Sequence, residues 1–600
     1  MKKGVNPIAI YSLFLTKKKE EKMIKTLLKS VRDFKKPSIL TSVFMVLEVF
    51  MEILIPLLLS MLIDNGIAKG DINQMIIIGI CLVVSATLSL VFGVISGKCA
   101  AKASSGFARN LREDIYNKIQ DFSFFNIDKF STSSLITRLT TDITNIQQAY
   151  MMTIKAAVRA PVTIIFAITM SFIIDARIGL IYLISAPILG FLLIFIAKYV
   201  NPIFEKVFYQ IDKLNCVVQE NVRAIRVVKS FVTEEKEIEK FNKASEEIYR
   251  NFSRAEKILA FNSPIMQFMI YGCLTLISFF GAKFIVAGTL TTGELASLFS
   301  YIMQMLNSLM LLAMVFVMIT IAWESGQRAV EVLREESDLK NKENPIYDVK
   351  NGKIEFVNVG FSYVKDKNKE VLKEINLTIN SGETVGIIGS TGDGKSTLVS
   401  LIPRLYDVTT GEVKVGDVNV KDYDIKTLRD QVSMVLQKNE LFSGTIKDNI
   451  RWGNLQATDE EIVEVCKLAQ ADEFISTFPD GYNTKIEQGG SNVSGGQKQR
   501  LCIARALLKK PKILILDDST SAVDTKTDKL IRTAFNEKIP NTTKIIIAQR
   551  ISSVQDADKI IVMSNGRIQA VGNHEELLKT NAVYKEIYDS QMKGSGEDEK

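Results

Sequence analysis

A glycine-rich segment in the second half of this 600-residue chain contains the residues most clearly suited to chemistry. It fits the pattern G-x-x-x-x-G-K-S. Glycines let several backbone N–H groups point into one cavity, and the N-terminus of a following helix adds positive potential for phosphates. Lys395 is placed to bind β- and γ-phosphates, and the Ser396 hydroxyl is placed to ligate Mg²⁺. The predicted phosphate-binding residues are Gly389, Ser390, Thr391, Gly392, Asp393, Gly394, Lys395, Ser396 and Thr397.

Two adjacent acids, Asp517 and Asp518, follow a run typical of a buried strand, Lys512 to Leu516. Asp517 is predicted to hold Mg²⁺ through water, and Asp518 stands where a carboxylate would activate the attacking water. Two acids after a strand are weak evidence by themselves. Their position relative to the glycine-rich segment gives them their predicted roles.

The elements needed to position these groups can be read on either side of the glycine-rich segment. The run from Glu383 to Ile388 is apolar and β-prone, and a helix is predicted from about Lys395 to Arg404. This order of strand, loop and helix is the context in which a phosphate loop works. The second half of the chain is therefore predicted to be an α/β domain.

The first half of the chain is apolar and predicts a membrane domain. Each of its long apolar segments has about the 20 residues that a spanning helix needs. We place the six segments near residues 38–63, 74–97, 156–175, 178–199, 263–287 and 295–323. A basic stretch over residues 17–36, and long charged links after the second and fourth segments, put both termini and these links in the cytoplasm by the positive-inside rule.

The two long links are expected to be helical extensions of the membrane helices. Phe107, Leu111 and Ile115 recur at helical spacing among charged residues. The turns at the tips are expected near Asn126 to Leu135 and near Ser230 to Glu235. A net charge of +7 is small for this length and does not indicate a nucleic-acid partner, and the six scattered cysteines imply neither disulfides nor zinc.

With these features together, the chain resembles the ATP-binding cassette (ABC) transporters, specifically exporters with membrane and nucleotide domains fused. The resemblance runs from about Leu27 to Gln591, and its most specific element is the segment from Asn492 to Arg500, which is similar to the family signature. It implies six transmembrane helices of the type I/IV exporter fold joined to an α/β P-loop nucleotide-binding domain, with ATP and Mg²⁺ as ligands. The implied boundaries are 1–36 (N-terminal segment and elbow helix), 37–325 (transmembrane domain), 326–350 (linker), 351–590 (nucleotide-binding domain) and 591–600 (tail).

The resemblance also implies roles for residues outside the phosphate loop. Tyr363 matches the aromatic residue that stacks on adenine, and Gln437 matches the glutamine that senses Mg²⁺ and contacts the membrane domain. The segment from Ser521 to Asp524 matches a loop at the interface of the cassette dimer. The residues implied to bind the γ-phosphate of a nucleotide held by the other cassette are Ser494, Gly495, Gly496 and Gln497.

Three positions depart from the family pattern. Asp518 stands where competent sites have Glu, and its carboxylate is one methylene shorter. Gln549 stands at the switch histidine, and glutamine has no proton-handling capacity. Asp393 lies inside the phosphate loop, where a small neutral residue is usual, and we expect it to point to solvent. The only histidine, His574, cannot substitute by its sequence position.

These departures predict an impaired site in this chain and an intact signature lent to another chain. The expected partner is a second half-transporter that carries the catalytic Glu and the switch His. The resemblance implies efflux of small molecules by alternating access in the cytoplasmic membrane, in contact with lipid and in a bacterial setting. A nucleotide-gated channel, a regulatory subunit and an importer on the same fold remain alternatives at this stage.

The sequence leaves the substrate open. Glu48 and Glu52 lie one helical turn apart on the first apolar segment. They could form an anionic patch that favours lipophilic cations, or they could pair with Arg159 or Lys155 on the third segment. Methionines on the sixth segment could form an adaptable wall, or they could simply pack.

Overall fold

The computed structural model describes residues 22–364, 366–519 and 522–595. The chain divides into two compact units. Among the described residues, the first unit contains 22–120 together with Thr132–Glu335, and the second contains Asp121–Ser131 together with the residues from Glu336 onward. A short stretch between two long helices therefore packs with the C-terminal unit.

Six helical runs in the described residues are long and apolar enough to cross a membrane, and each covers one of the six predicted segments, the third and the fifth except for the last residue. They are Lys22–Ile67, Ile72–Gln120, Thr132–Ile174, Ala176–Arg223, Glu234–Val286 and Thr292–Arg334. The named α-helices of this half are α1 (Lys35–Met61), α2 (Ile72–Gln120), α3 (Phe124–Lys129), α4 (Thr132–Thr137), α5 (Ile143–Ile174), α6 (Ala176–Arg223), α7 (Ile225–Ser230), α8 (Glu234–Leu259), α9 (Asn262–Val286) and α10 (Thr292–Arg334). Helix α3 belongs to the second unit.

Side-chain caps fix the start of two membrane helices after short links. The Asp175 carboxylate accepts hydrogen bonds from the backbone N–H groups of Arg177 and Ile178 at the start of α6. Thr291 and Glu294 form a reciprocal capping box at the start of α10. Each cap satisfies N–H groups that have no partner within the helix.

Several membrane helices are much longer than a bilayer. Helix α2 has 49 residues and α6 has 48. At about 1.5 Å per residue each rises about 70 Å, more than twice the apolar thickness of a membrane. Both helices are long enough to form the predicted extensions, and short helices follow them, α3 and α4 in one case and α7 in the other.

The second unit is built around a six-stranded sheet with the order β12-β11-β3-β10-β9-β6, in which only the edge strand β12 is antiparallel. A four-stranded antiparallel sheet has the order β2-β1-β4-β5, and β7 pairs with β8. The strands are β1 (Ile354–Phe361), β2 (Leu372–Ile379), β3 (Thr384–Ile388), β4 (Thr410–Val415), β5 (Val418–Asn419), β6 (Val432–Val435), β7 (Gly444–Thr445), β8 (Lys485–Ile486), β9 (Ile513–Asp517), β10 (Thr543–Ile547), β11 (Lys559–Ser564) and β12 (Arg567–Gly572).

One face of the parallel sheet packs against helices and the other mainly against the four-stranded antiparallel sheet, so its strands are near-continuous apolar runs. Every residue of β9 and of β10 is buried. The helices are α11 (Lys395–Ser400), α12 (Ile425–Gln431), α13 (Ile446–Arg451), α14 (Asp459–Leu468), α15 (Asp472–Ile475), α16 (Gly495–Leu508), α17 (Thr525–Lys538), α18 (His574–Thr580) and α19 (Ala582–Ser595).

Helix α11 ends earlier than the predicted Arg404. Its last residue is Ser400, and the chain continues in turns up to Arg404, whose φ is 51°. Pro403 has no N–H group to continue the helical ladder and restricts the residue before it. The strand, loop and helix order around the glycine-rich segment is otherwise as predicted.

Candidate functional site

Four neighbouring strands bring the predicted site residues to one edge of the parallel sheet. Gly389 follows β3, Gln437 lies two residues after β6, Asp518 follows β9, and Gln549 lies two residues after β10. Because parallel strands end at the same edge, these residues meet although they are far apart in sequence. The register places Asp517 opposite Ile547 and Ile547 opposite Ile387.

The strand ends border a cleft of about 300 Å³. Most of the predicted phosphate-loop residues contribute to its walls, together with Asp517, Asp518, Gln437 and Gln549. The lining residues are Val371, Thr391, Gly392, Gly394, Lys395, Ser396, Thr397, Gln437, Asp517, Asp518, Ile547 and Gln549. Sequence reasoning missed Val371 and Ile547, since an apolar residue beside a strand end has no distinguishing pattern.

The phosphate loop is folded around its own lysine. The Lys395 ammonium donates to the carbonyl oxygens of Gly389 and Ser390, each at 2.8 Å. Burial lowers the pKa of Lys395, while the negative charges of Asp393, Asp517 and Asp518 oppose that shift. The lysine is thus a desolvated cation at the mouth of the loop, which suits it to phosphate oxygens.

Ser396 and Asp517 form the part of the site suited to a divalent cation. The Ser396 hydroxyl donates to an Asp517 carboxylate oxygen at 2.9 Å. Asp517 is buried, and burial raises its pKa. The described residues contain no cluster of three or more His, Cys, Asp or Glu side chains arranged for a metal. One hydroxyl and one carboxylate fit Mg²⁺ that takes its remaining ligands from phosphates and water.

The Asp518 carboxylate accepts hydrogen bonds from two side-chain amides. Gln549 donates to Asp518 Oδ2 at 2.8 Å, and Gln437 donates to the same oxygen at 3.4 Å. Asp518 is buried and its φ is 50°, a left-handed conformation that few non-glycine residues adopt. The three residues form one amide, carboxylate and amide cluster at the end of the cleft.

The expectation that Asp393 points to solvent is wrong. Its side chain is buried, with 8% of the residue surface exposed. The carboxylate accepts hydrogen bonds from the backbone N–H groups of Ser390, at 2.5 Å, and Asn565, at 2.8 Å. These two backbone N–H groups would lose this partner if the carboxylate turned to solvent. Their hydrogen bonds therefore favour the buried rotamer of Asp393.

Two family models match this chain, the ABC transporter transmembrane region over residues 38–309 and the ABC transporter model over residues 372–521. An uncharacterized ABC transporter ATP-binding protein of Bacillus subtilis, YfiB, is 36% identical over 92% of this chain and 96% of its own. The chain belongs to the ABC transporter family. A Staphylococcus aureus protein named as a candidate multidrug export ATP-binding/permease protein is 33% identical over 95% of this chain and all of its own.

The solved structure of a bacterial Atm1-family ABC exporter with ATP bound has the same fold. Its TM-score is 0.82, at 22% identity, over 93% of this chain and 99% of that one. This ABC transporter therefore carries a membrane region and an ATP-binding domain in one chain, with the fold of an exporter. It is an integral membrane protein, and its nucleotide-binding domain is of the ATP-dependent transport type.

Within the transporter, Tyr363 and the signature residues lie outside the walls of the cleft. Tyr363 is partly exposed, and its hydroxyl shares a hydrogen bond of 3.0 Å with the Thr397 hydroxyl. Ser494 caps α16 by accepting from the Gln497 N–H, and the Gln497 side chain accepts from the Ser494 N–H. Gly495 and Gly496 lie against Ala522. Ser521 lies outside the described residues.

A contact that the sequence did not predict links α3 to the cassette within the second unit. The Tyr406 hydroxyl donates to the Asp128 carboxylate at 2.8 Å, and the rings of Phe124 and Tyr406 meet edge to face. Tyr406 also lies edge-on against Tyr363. Burial, and then the hydrogen bond to Asp128, raises the pKa of Tyr406. No sequence signal joins residues so far apart.

In the membrane unit, Glu48 and Glu52 pair with Arg159. One guanidinium nitrogen donates to Glu48 at 2.8 Å, and the other contacts both oxygens of Glu52 at 2.7 Å. The second Glu48 oxygen is buried and has no hydrogen-bond partner. The pairing alternative is therefore the one found, although two carboxylates still share one guanidinium.

Proposed function

We propose that this chain exports small amphipathic or cationic molecules across the cytoplasmic membrane as one half of a heterodimer. ATP hydrolysis then occurs mainly at a site whose phosphate loop and catalytic Glu belong to the companion chain. The observation that carries the proposal is the hydrogen bonding of Asp518 to Gln549. The fold and family support a transporter, and this cluster supports the unequal division of the chemistry.

A general base needs a carboxylate within hydrogen-bond reach of the attacking water. Asp518 is one methylene shorter than Glu, and its Oδ2 already accepts from two amides. Gln549 can donate to phosphate but cannot take up a proton. This site therefore binds nucleotide and hydrolyses it slowly.

The signature has the groups that a partner's nucleotide requires. Ser494 and Gln497 define the start of α16, a helix of 14 residues whose N-terminus favours anions. The glycines at 495 and 496 leave the backbone accessible to a phosphate. In our proposal this signature completes the companion's site, which supplies Glu and His.

ATP supplies the γ-phosphate whose cleavage resets the transporter. The ammonium of Lys395 leaves the carbonyls of Gly389 and Ser390 and binds phosphate oxygens, while Ser396 and Asp517 would hold Mg²⁺. Tyr363 would stack on adenine, and Gln437 would report the state of the site. Movement of the cassette is passed to α3 through the Tyr406 to Asp128 contact.

The membrane unit supports cationic cargo. The cluster of Glu48, Glu52 and Arg159 contains two carboxylates and one guanidinium. Acidic side chains in membrane helices are costly and commonly mark a transport pathway, and this excess of carboxylates would favour a cation. Relatives named for multidrug export support small molecules as the cargo, without specifying their charge. Cytoplasmic termini and a bacterial origin complete the proposal.

The proposal is tested with the co-purified pair in inside-out vesicles. Changing the companion's catalytic Glu to Gln should abolish ATP-dependent uptake of a lipophilic cation, whereas Asp518→Asn should lower uptake less than threefold. Equal loss from both changes would contradict the unequal division of labour. A passive ATP-gated current without uptake would instead identify a channel.

A further inference from the structure

The least expected group in the nucleotide site is the buried carboxylate of Asp393. It lies between two glycines in left-handed conformations, Gly392 with φ 94° and Gly394 with φ 87°. One oxygen accepts from the Ser390 N–H, and the Asp393 N–H donates back to the Ser390 carbonyl at 3.2 Å. These two hydrogen bonds join Ser390 to Asp393 and close the turn between them.

The other oxygen of Asp393 reaches a different element. It accepts from the N–H of Asn565, in the turn between β11 and β12. Asn565 and Gly566 both have left-handed backbones, with φ 52° and 76°, as a tight hairpin turn requires. The carboxylate therefore joins the phosphate loop to the hairpin turn just beyond the paired ends of β3 and β11.

The hairpin turn is itself fixed to the strand beside the cleft. The Gly566 carbonyl accepts from the Lys373 N–H at 2.9 Å. A Cβ on Gly566 would lie 2.1 Å from the Val371 carbonyl oxygen, so the turn lies directly on β2's start. Val371 lines the cleft. Asp393 thus links the phosphate loop to the hairpin turn, and the hairpin turn contacts the cleft wall at Val371.

We infer that Asp393 is a positioning residue that holds the phosphate loop in its nucleotide-binding shape and slows the release of ATP. This inference rests on the proposed function, since it concerns the same site. A loop already ordered by its own carboxylate loses less conformational freedom on binding. The negative charge of Asp393 acts in the opposite direction by repelling phosphates, but Lys395 and two N–H donors compensate it.

The test measures release of a fluorescent ATP analogue from the full-length, detergent-purified chain by stopped flow. Asp393→Ser removes both acceptors and should speed release at least tenfold. Asp393→Asn keeps one acceptor oxygen and should give an intermediate rate. Glu537→Gln, which removes an exposed acid on α17, is the matched control and should leave the rate unchanged.

Hydrogen exchange of the nucleotide-free protein provides a second readout. Asp393→Ser should lose protection both in the peptide that contains Ser390 and in the peptide that contains Asn565. The rest of the chain should be unaffected. Unchanged release and protection, or slower release in both variants because charge repulsion dominates, would overturn the inference. If the unmodified chain bound no analogue and Lys395→Ala changed nothing, the proposed ATP site itself would be wrong.

Discussion

Single residues set the chemical capacity of the nucleotide site. The Asp518 carboxylate is short, buried and hydrogen-bonded to the side chains of Gln437 and Gln549. Loss of a positioned base typically slows a reaction by about 10² to 10⁴. Phosphate binding needs different groups, the loop and Lys395, and these remain in place. The proposed function therefore separates nucleotide binding from hydrolysis in this chain.

Restoring both side chains should restore hydrolysis. In a pair whose companion site is inactivated by Glu to Gln, the double change Asp518→Glu and Gln549→His should raise the residual ATPase rate by about tenfold or more. The longer carboxylate reaches the water, and the imidazole can handle a proton. Phosphate release measures the rate.

The control for that gain is the same double variant carrying Lys395→Ala, which should return the rate to background. If the double change left the rate where it was, the side chains at 518 and 549 would not be what limits this site.

Helices and their contacts carry the next level of function. Arg159 on α5 joins two turns of α1, and Gly93 of α2 lies so close to Glu48 that a Cβ there would come within 3.2 Å of its carboxylate oxygens. Three membrane helices therefore meet at one ion cluster. In the second unit, the Tyr406 hydroxyl is the corresponding link between α3 and the cassette.

Removing Arg159 should destabilise the membrane unit more than removing either acid. Arg159→Leu leaves two carboxylates without a cation, which costs about 3 kcal/mol when one partner of a buried pair is lost. Glu48→Gln retains the bidentate contact between Arg159 and Glu52 and should cost about 1 kcal/mol. Thermal unfolding in detergent compares them.

Adding Glu48→Gln and Glu52→Gln to Arg159→Leu should recover part of the lost stability. A triple variant no more stable than Arg159→Leu would show that unpaired charge is not the cause of the loss.

Tyr406→Phe should weaken coupling without preventing ATP hydrolysis. It removes only the hydrogen bond to Asp128, worth about 1 kcal/mol at a partly exposed position, and keeps the ring in its aromatic contacts. Transport per ATP hydrolysed by the pair should fall, whereas the ATPase rate should change little.

Tyr347→Phe is the matched control, since Tyr347 is an exposed tyrosine of the same unit. A parallel fall in ATPase and transport in Tyr406→Phe would assign Tyr406 a role in nucleotide binding rather than in coupling.

For the whole molecule, one chain contributes one phosphate loop and one signature, and these lie in different places on its cassette. Ser494 is absent from the residues lining the described cleft. Under the proposed role of the signature, a complete site needs a second cassette, and half-transporters of this family generally dimerise. In the proposed division of labour, two copies of this chain would combine two slow phosphate-loop sites with two intact signatures.

If the proposal is right, the full-length chain purified alone should hydrolyse ATP at least tenfold more slowly than the co-purified pair, because Asp518 would serve as the base in each of its own sites. Steady-state phosphate release under matched detergent and Mg²⁺ conditions makes the comparison. Rapid hydrolysis without any companion would contradict the heterodimer proposal.

The sequence alone determined the features that are local along the chain. Six apolar runs of membrane length, the G-x-x-x-x-G-K-S pattern after an apolar strand, and the acids after a second buried strand all depend on near neighbours. These features predicted the fold. The residue types at positions 518 and 549 were likewise visible in the sequence. Element ends were less certain, as α11 shows, because a turn at Pro403 overrides helical periodicity.

Only the tertiary structure decided which distant groups meet. Asp393 turned inward because an N–H group from residue 565 lies beside it, and Arg159 rather than Lys155 took both acids of α1. The Tyr406 hydroxyl donates a hydrogen bond to Asp128, which is 278 residues away in sequence. Such contacts depend on how strands and helices pack in three dimensions. A buried polar group must form a hydrogen bond, and the fold decides which distant partner is close enough to form it.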